Sequence, residues 1–276
     1  MKSRALLITG ANGFLARAVV RQLTGNWIPA ALVRPGTTAS PDYDSSHDSV
    51  DDLVRDLKSI DAILHLAACV PSPANGAPPE LEAVNVELVK KLVREYPDAH
   101  HVLSSSVSIY GTPVSLPLSV VSQPNSPNAY GLSKLKAESL VRETSKHTII
   151  RFSSLIGSDM KPGTFIQAVV ASARAGQINL VGNGERLQNY LDLDDAAQMC
   201  LQGAVSEKSS TVLGIGARSY SNNEVANILA RLTGAAVVHS GADSSPSFVY
   251  DVDHAMDIGR PLISLADSLE KMVQRA

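Results

Sequence analysis

The chain is poor in the residues that announce several common protein classes. Its two cysteines, Cys69 and Cys200, lie far apart in apolar surroundings, with no CxxC spacing and no histidine pattern beside either. A disulfide framework and a zinc site are therefore not indicated, and two buried thiols are the plain expectation. Aromatics are scarce, with four Phe, one Trp and seven Tyr, and charge is balanced, 24 Lys and Arg against 27 Asp and Glu. Nucleic-acid binders show a basic excess and, for single strands, interleaved aromatics, so that class is set aside. No apolar stretch approaches the roughly 20 residues of a membrane span, and the apolar run 5–8 is too short for the core of a secretory signal. A cytoplasmic protein without nucleic-acid or membrane partners is expected.

What is present is a 44% hydrophobic composition arranged in short apolar runs that alternate with longer stretches of helical period. That alternation marks βα units around a parallel sheet. It predicts strands over 4–9, 29–33, 62–66, 101–105 and 148–152, with helices over 14–24, 50–58, 79–95 and 130–145. The Pro-, Gly-, Ser- and Asp-rich segment 35–49 reads as a worn-down helix and a short strand, and 113–128, with four prolines, as a long loop of the kind that lies over a site. After residue 152 the elements shorten, with helices predicted over 165–175, 194–204, 222–232 and 264–274. The expectation is an α/β fold: a Rossmann-type doubly wound parallel sheet over 1–155, and a small C-terminal lobe over 156–276 that mainly binds substrate and returns some elements to the core.

Thr9-Gly10-Ala11-Asn12-Gly13-Phe14-Leu15-Ala16 follows the first strand and opens a helix, the context a dinucleotide phosphate loop requires. Gly10 would permit the tight turn, Gly13 the approach of backbone to pyrophosphate at a helix N-terminus, and small Ala16 close helix–sheet packing. A plain turn has the same composition, and the flanking strand and helix are what weigh against it. The second strand ends in Leu32-Val33-Arg34-Pro35, with an arginine and no acid. An acid there would take a ribose 2′-hydroxyl and an arginine a 2′-phosphate, so NADP is favoured over NAD. A solvated arginine, or one stacked on adenine, stays open.

Tyr130 and Lys134 are four residues apart and share one helix face. A neighbouring cation favours a phenolate, which suits such a pair to proton transfer. The serine run 104–106, at the C-terminal end of a predicted strand, puts hydroxyls where ligands of parallel sheets bind.

These features occur in a fixed order with Asp61 to Ala68, Asn85-Val86, Tyr110-Gly111, Glu138, Gly182-Asn183-Gly184, Leu193-Asp194-Asp195 and Ser264-Leu265. In that order the chain resembles, essentially end to end, the extended short-chain dehydrogenases/reductases of the NAD(P)-dependent epimerase/dehydratase type. The resemblance implies that Tyr130 is the proton donor or acceptor at the substrate oxygen, and that Lys134 binds the nicotinamide ribose and lowers the Tyr130 pKa. It implies that Ser106 hydrogen-bonds the reacting oxygen. Cofactor contacts are implied at Gly10, Asn12, Gly13, Phe14, Leu15, Arg34, Leu66, Ala67, Ala68, Asn85 and Ser104, and substrate contacts at Ser106, Ser153 and Gln188. His65, inside a strand, is given no role. A homodimer through 79–95 and 130–145 is likewise implied.

Two departures bear on the substrate. Gln188 stands where members acting on nucleotide-diphosphate sugars carry an arginine, and a second expected arginine is missing from 241–250. Glutamine lacks the charge and fork that grip a diphosphate; Arg186 and Arg218 are the candidate replacements. Val107 and Ser108 stand where dehydratases carry an Asp-Glu pair, which disfavours dehydration. The expected function is an NADP-dependent oxidoreductase, with NAD as the other cofactor, acting at a carbonyl or carbinol carbon of a sugar-like small molecule, free or nucleotide-linked. A nucleotide-sugar epimerase with tightly held cofactor is the alternative, and a non-catalytic dinucleotide sensor the alternative of another class.

Overall fold

Strands of a parallel sheet are covered on both faces, so they read as continuous apolar runs rather than alternating ones. The computed structural model describes residues 3–71, 76–160, 163–252 and 258–274. In chain order its elements are β1 (Arg4–Thr9), α1 (Phe14–Arg21), β2 (Trp27–Leu32), β3 (Ser45–His47), α2 (Val50–Asp56), β4 (Ala62–His65), α3 (Leu88–Glu95), β5 (His100–Ser106), α4 (Ala129–Arg142) and β6 (Lys146–Phe152). There follow β7 (Ser154–Ile156), α5 (Phe165–Arg174), β8 (Gln177–Val181), β9 (Leu187–Asp192), α6 (Leu193–Val205), β10 (Ser210–Gly214), β11 (Ser219–Ser221), α7 (Asn222–Thr233), β12 (Ala236–Ser240) and α8 (Leu265–Gln274).

Seven parallel strands form the central sheet in the order β3-β2-β1-β4-β5-β6-β10. The order reverses between β1 and β4, and a crevice at the carboxyl ends of the strands opens at such a point. Side chains alternate between the faces. Leu6, Ile8, Ala62, Leu64, Val102 and Ile150 pack under α1 and α6. Leu7, Ile63, Leu103 and Ile149 face α2, α3 and α4. A further core joins α5, α7, α8 and β8 through Ile166, Val170, Leu180, Leu229 and Leu269.

Four features depart from the sequence reading. The seventh strand, β10, comes from a Ser-Thr-Val-Leu-Gly segment far along the chain, too short and too polar at its start to register as an apolar run. Segment 35–49 supplies β3 but no helix. The helix expected over 79–95 is entered through a π-helical turn, Ala83–Glu87, before α3 begins. Of the two thiols, Cys200 is buried in the core while Cys69 is only partly covered.

Candidate active site

The end of β1 is built to bring backbone close to a ligand. Thr9 accepts hydrogen bonds at its hydroxyl from the amides of Leu66 and Ala67, both 3.0 Å, tying β1 to the end of β4. Gly10 has φ +64°, and a Cβ there would lie 2.7 Å from Ala67 Cα. Gly13 donates its amide to the Gly10 carbonyl at 2.7 Å, and a Cβ on it would lie 2.8 Å from that oxygen. Both positions therefore require glycine.

Helix α1 begins at Gly13 with no side-chain cap, whereas α2, α4, α5, α6 and α7 are capped by Ser49, Asn128, Thr164, Asp192 and Ser221. The first amides of α1, those of Phe14 and Leu15 among them, have no intrahelical acceptor, which makes this end an anion site. An uncapped helix end framed by two obligatory glycines fits a dinucleotide pyrophosphate. The Leu15 side chain is buried in the core, so only its backbone is on offer. Asn12 is exposed and donates to the Thr38 carbonyl at 2.9 Å, and the Tyr43 hydroxyl donates to the Ala11 carbonyl at 3.1 Å. These two bonds fasten the segment after β2 to the phosphate loop. Arg34 stands exposed on that segment, without an ion pair among the described residues.

Leu66, Ala67 and Ala68 become progressively exposed at the crest of β4. Asn85, expected to line the cofactor, is buried at 1% exposure within the π-helical turn. Its side chain exchanges hydrogen bonds with the backbone of Cys69, 2.8 and 3.0 Å, and donates to Ser133 Oγ at 2.9 Å. It braces the β4 crest against α4. His65 is also internal, its Nε2 2.9 Å from Nδ1 of His101, whose Nε2 meets the Tyr96 carbonyl at 3.0 Å. Burial pushes both imidazoles down, so the pair is neutral at neutral pH.

The three serines ending β5 each engage one residue of α4. The Ser104 carbonyl accepts the Lys134 ammonium at 2.8 Å, Ser105 Oγ donates to Glu138 at 2.6 Å, and Ser106, whose Oγ donates to Ser108 Oγ at 3.0 Å, lies near enough to the Tyr130 phenol to favour its ionised form. Residues 130, 134 and 138 follow one another at single-turn spacing, which is why one helix face meets one strand end. Burial, partly offset by Glu138, brings the Lys134 ammonium down to about 8. Burial also pushes Tyr130 up to about 12, with Ser106 pulling the other way. Lys134 Nζ stands 5.7 Å from the Tyr130 ring centroid while donating to the Ser104 carbonyl, and desolvation of the phenolate dominates the Tyr130 shift.

Glu138, Tyr110 and Ser105 stand among the sequence motifs without a role, and Arg151 does not figure there at all. Glu138 has no exposure and Arg151 is 8% exposed in its side chain. The guanidinium forks onto both carboxylate oxygens, at 3.0 and 2.9 Å, and its third nitrogen donates to the Tyr110 hydroxyl and the Val120 carbonyl, 3.0 and 2.8 Å. An arginine inside an otherwise apolar strand run was the available signal, since such a charge is buried only when paired.

On the far side of the crevice, Ser153 Oγ donates to Asn189 at 2.8 Å, and Gln188 Nε2 donates to Asn222 Oδ1 at 3.1 Å. Arg186 Nε donates to the Pro246 carbonyl at 3.2 Å. Arg218 pairs with Glu224 at 2.8 Å and lies 3.8 Å over the Tyr220 ring. Both candidate replacement arginines thus have protein partners. The loop 113–128 is strapped down by Leu118, which bridges to Val249 and Asp251 at 2.7 and 2.8 Å, and by the Tyr110 bond to Ser119, 2.8 Å.

Comparisons with known proteins agree with this fold. UDP-glucose 4-epimerase of Lactobacillus helveticus is 27% identical, over 83% of this chain and 82% of that protein. A crystal structure of a putative epimerase from Burkholderia cenocepacia J2315 superposes with a TM-score of 0.83 at 24% identity, over 99% and 97% of the two chains. UDP-glucuronic acid 4-epimerase from Bacillus cereus, solved with UDP-glucuronic acid and NAD, superposes with a TM-score of 0.82 at 18% identity, over 98% of each chain. The family model described as the NAD dependent epimerase/dehydratase family matches residues 6–216, and the chain belongs to that family.

Proposed function

We propose that the protein moves hydride between a nicotinamide dinucleotide and a carbonyl or carbinol carbon of a sugar-like small molecule, with Tyr130 handling the proton. The observation that carries this reading is the meeting of Ser106, Tyr130 and Lys134 at the β5 crest, beside the uncapped start of α1. The dinucleotide, when bound, supplies the hydride. Gly10, Gly13 and the first amides of α1 would hold its pyrophosphate, and Lys134 its nicotinamide ribose. Ser106 fixes the substrate oxygen by hydrogen bond, and Tyr130, a neutral phenol at neutral pH, gives its proton to that oxygen in reduction; in oxidation it takes the proton as the phenolate, its own proton having first passed to solvent. Residues 156–276 contribute mainly the substrate side, apart from α6 and β10, which belong to the core. A cytoplasmic setting goes with this reading.

For the cofactor, exposed Arg34 and the absence of an acid at the end of β2 support NADP, although the Bacillus cereus relative was solved with NAD. The homodimer keeps the outward side of α3 and α4 as its candidate interface, where Leu132 is 49% exposed beside the Lys136–Glu82 ion pair. Light scattering on a size-exclusion column tests it.

A second reading, epimerisation of a nucleotide sugar, is favoured by the epimerase relatives. Against it, Gln188 replaces an arginine while Arg186 and Arg218 are engaged elsewhere. Calorimetric titration of the NADP-loaded protein with UDP, dTDP, GDP and CDP decides between them. Tight binding of one nucleotide establishes a nucleotide-sugar substrate and directs the search to epimer interconversion. Absence of binding across the panel establishes a substrate without a diphosphate, and NADPH oxidation with free carbonyl compounds identifies it.

A further inference from the structure

We propose that Glu138, clasped by Arg151, is a positioning residue that sets Lys134 and Tyr130 against the Ser104–Ser106 end of β5. It has this role only if Lys134 meets the nicotinamide ribose, as proposed above.

Glu138 lies one turn beyond Lys134 and two beyond Tyr130, and all four of its hydrogen bonds are accounted for. Oε1 accepts from Ser105 at 2.6 Å and Arg151 Nε at 3.0 Å; Oε2 accepts from a second Arg151 nitrogen at 2.9 Å and from Arg142 at 2.7 Å. The Arg151 fork fixes the carboxylate in two directions at once. Because Arg151 belongs to β6 and Ser105 to β5, the carboxylate pins α4 to two neighbouring strands. Arg151 also holds the Val120 carbonyl and, through Tyr110, the Ser119 carbonyl. One ion pair thereby locks the helix bearing Tyr130 and Lys134, the strand end that receives them and the loop beside it.

Stability alone is a weak reason for such a pair, since apolar side chains of similar volume often stabilise a buried site as well or better. Its position gives a better one. Lys134 is faced by Tyr130 and Glu138 on α4, His65 on β4 and the Ser104 carbonyl on β5. Tyr130 is protonated and His65 neutral, so Glu138 is the anion facing the ammonium, with Arg151 and Arg142 behind it. Burial draws Lys134 down to about 8 and Glu138 opposes it.

The test is calorimetric binding of NADP+, with NAD+ as second probe, to the full chain between about pH 6 and pH 10. The unaltered chain is expected to lose affinity on the alkaline side as Lys134 deprotonates near 8. Glu138→Gln is expected to move that break down by about one pH unit and to weaken binding roughly fivefold at pH 8. Since Glu138→Gln leaves Arg151 buried without its counter-ion, Glu138→Gln with Arg151→Met is measured as well, a neutral pair of similar volume whose folding is checked by circular dichroism. The same shift is expected in the folded double variant. A break at the unaltered pH with affinity within about twofold, in variants that fold, overturns the role of Glu138 and leaves the dinucleotide reading intact. Lys134→Met that keeps the break overturns it too. Failure of the unaltered chain to bind either dinucleotide overturns the dinucleotide reading, and the role of Glu138 with it.

Discussion

Lys134 and Tyr130 meet at one strand end: the ammonium donates to the Ser104 carbonyl at 2.8 Å while its Nζ stands over the phenol ring, 5.7 Å from the centroid. Tyr130 starts as an acid. Its pKa near 12 reflects burial, and a bound cofactor and substrate change that environment before the proton moves.

Replacing Tyr130 by Phe removes the proton and little else. The variant is expected to bind NADP+ within about twofold of the unaltered chain and to lose turnover by roughly 10²–10⁴-fold, the range of one general acid. Parallel titration and steady-state rates check it. Undiminished turnover would remove Tyr130 from the chemistry.

Lys134 links stability to pH. Its pKa is lower in the folded chain, about 8, than the ordinary 10.5 of an exposed lysine. The unfolded chain then binds more protons between those values, so this group's contribution to stability rises with pH from about 8 to 10.5 and is unfavourable below. Lys134→Met is expected to stabilise the protein near pH 7, by at most about 3 kcal/mol, with the gain shrinking above pH 8. Thermal melts across this range measure it. A variant less stable than the original at neutral pH would show that the Ser104 bond outweighs the cost of the buried charge.

At Gly10 two effects oppose any side chain. A φ of +64° costs an L-residue about 1–2 kcal/mol, and the new Cβ would meet Ala67 Cα at 2.7 Å, a backbone atom that does not swing away. Gly10→Ala is expected to lower stability by more than the strain alone and to abolish dinucleotide binding, read by calorimetry and melting together. Retention of full NADP+ affinity would mean that the pyrophosphate lies elsewhere.

Arg34→Glu tests cofactor choice. NADP+ affinity is expected to fall by about ten- to a hundredfold, the loss of a charge-assisted phosphate contact plus new repulsion, with NAD+ affinity little changed. Equal losses for both dinucleotides would assign Arg34 to adenine rather than to a 2′-phosphate.

The first half of the fold was legible because β1, β2, β4 and β6 are buried and apolar on both faces, while a glycine turn and a new helix follow β1. Strand β10 was not, since Ser210-Thr211 precede only two apolar residues and nothing local says that it returns to pair with β6. The clustering of residues 104–106 and 130–134 was anticipated from a strand end and a helix face. The position of Asn85 was not, because a π-helical turn leaves no mark in residue spacing. Nor was the Glu138–Arg151 pair, which joins residues 13 apart that happen to face each other across a helix and a sheet. Such buried polar partners are set by tertiary packing, and periodicity does not report them.

The serine ladder has a consequence for how the site can vary. Each residue advances an α-helix by about 100° and 1.5 Å, so a one-residue slip of α4 would carry Lys134, Glu138 and Tyr130 away from Ser104, Ser105 and Ser106 together. No partial register exists in which one contact survives to select for the others. Changes in chain length between the two elements must therefore be absorbed within the connection, where Gly111 turns at φ +62° and residues 113–128 run along the surface. The machinery is inherited as a block, and the connection is where diversification is permitted.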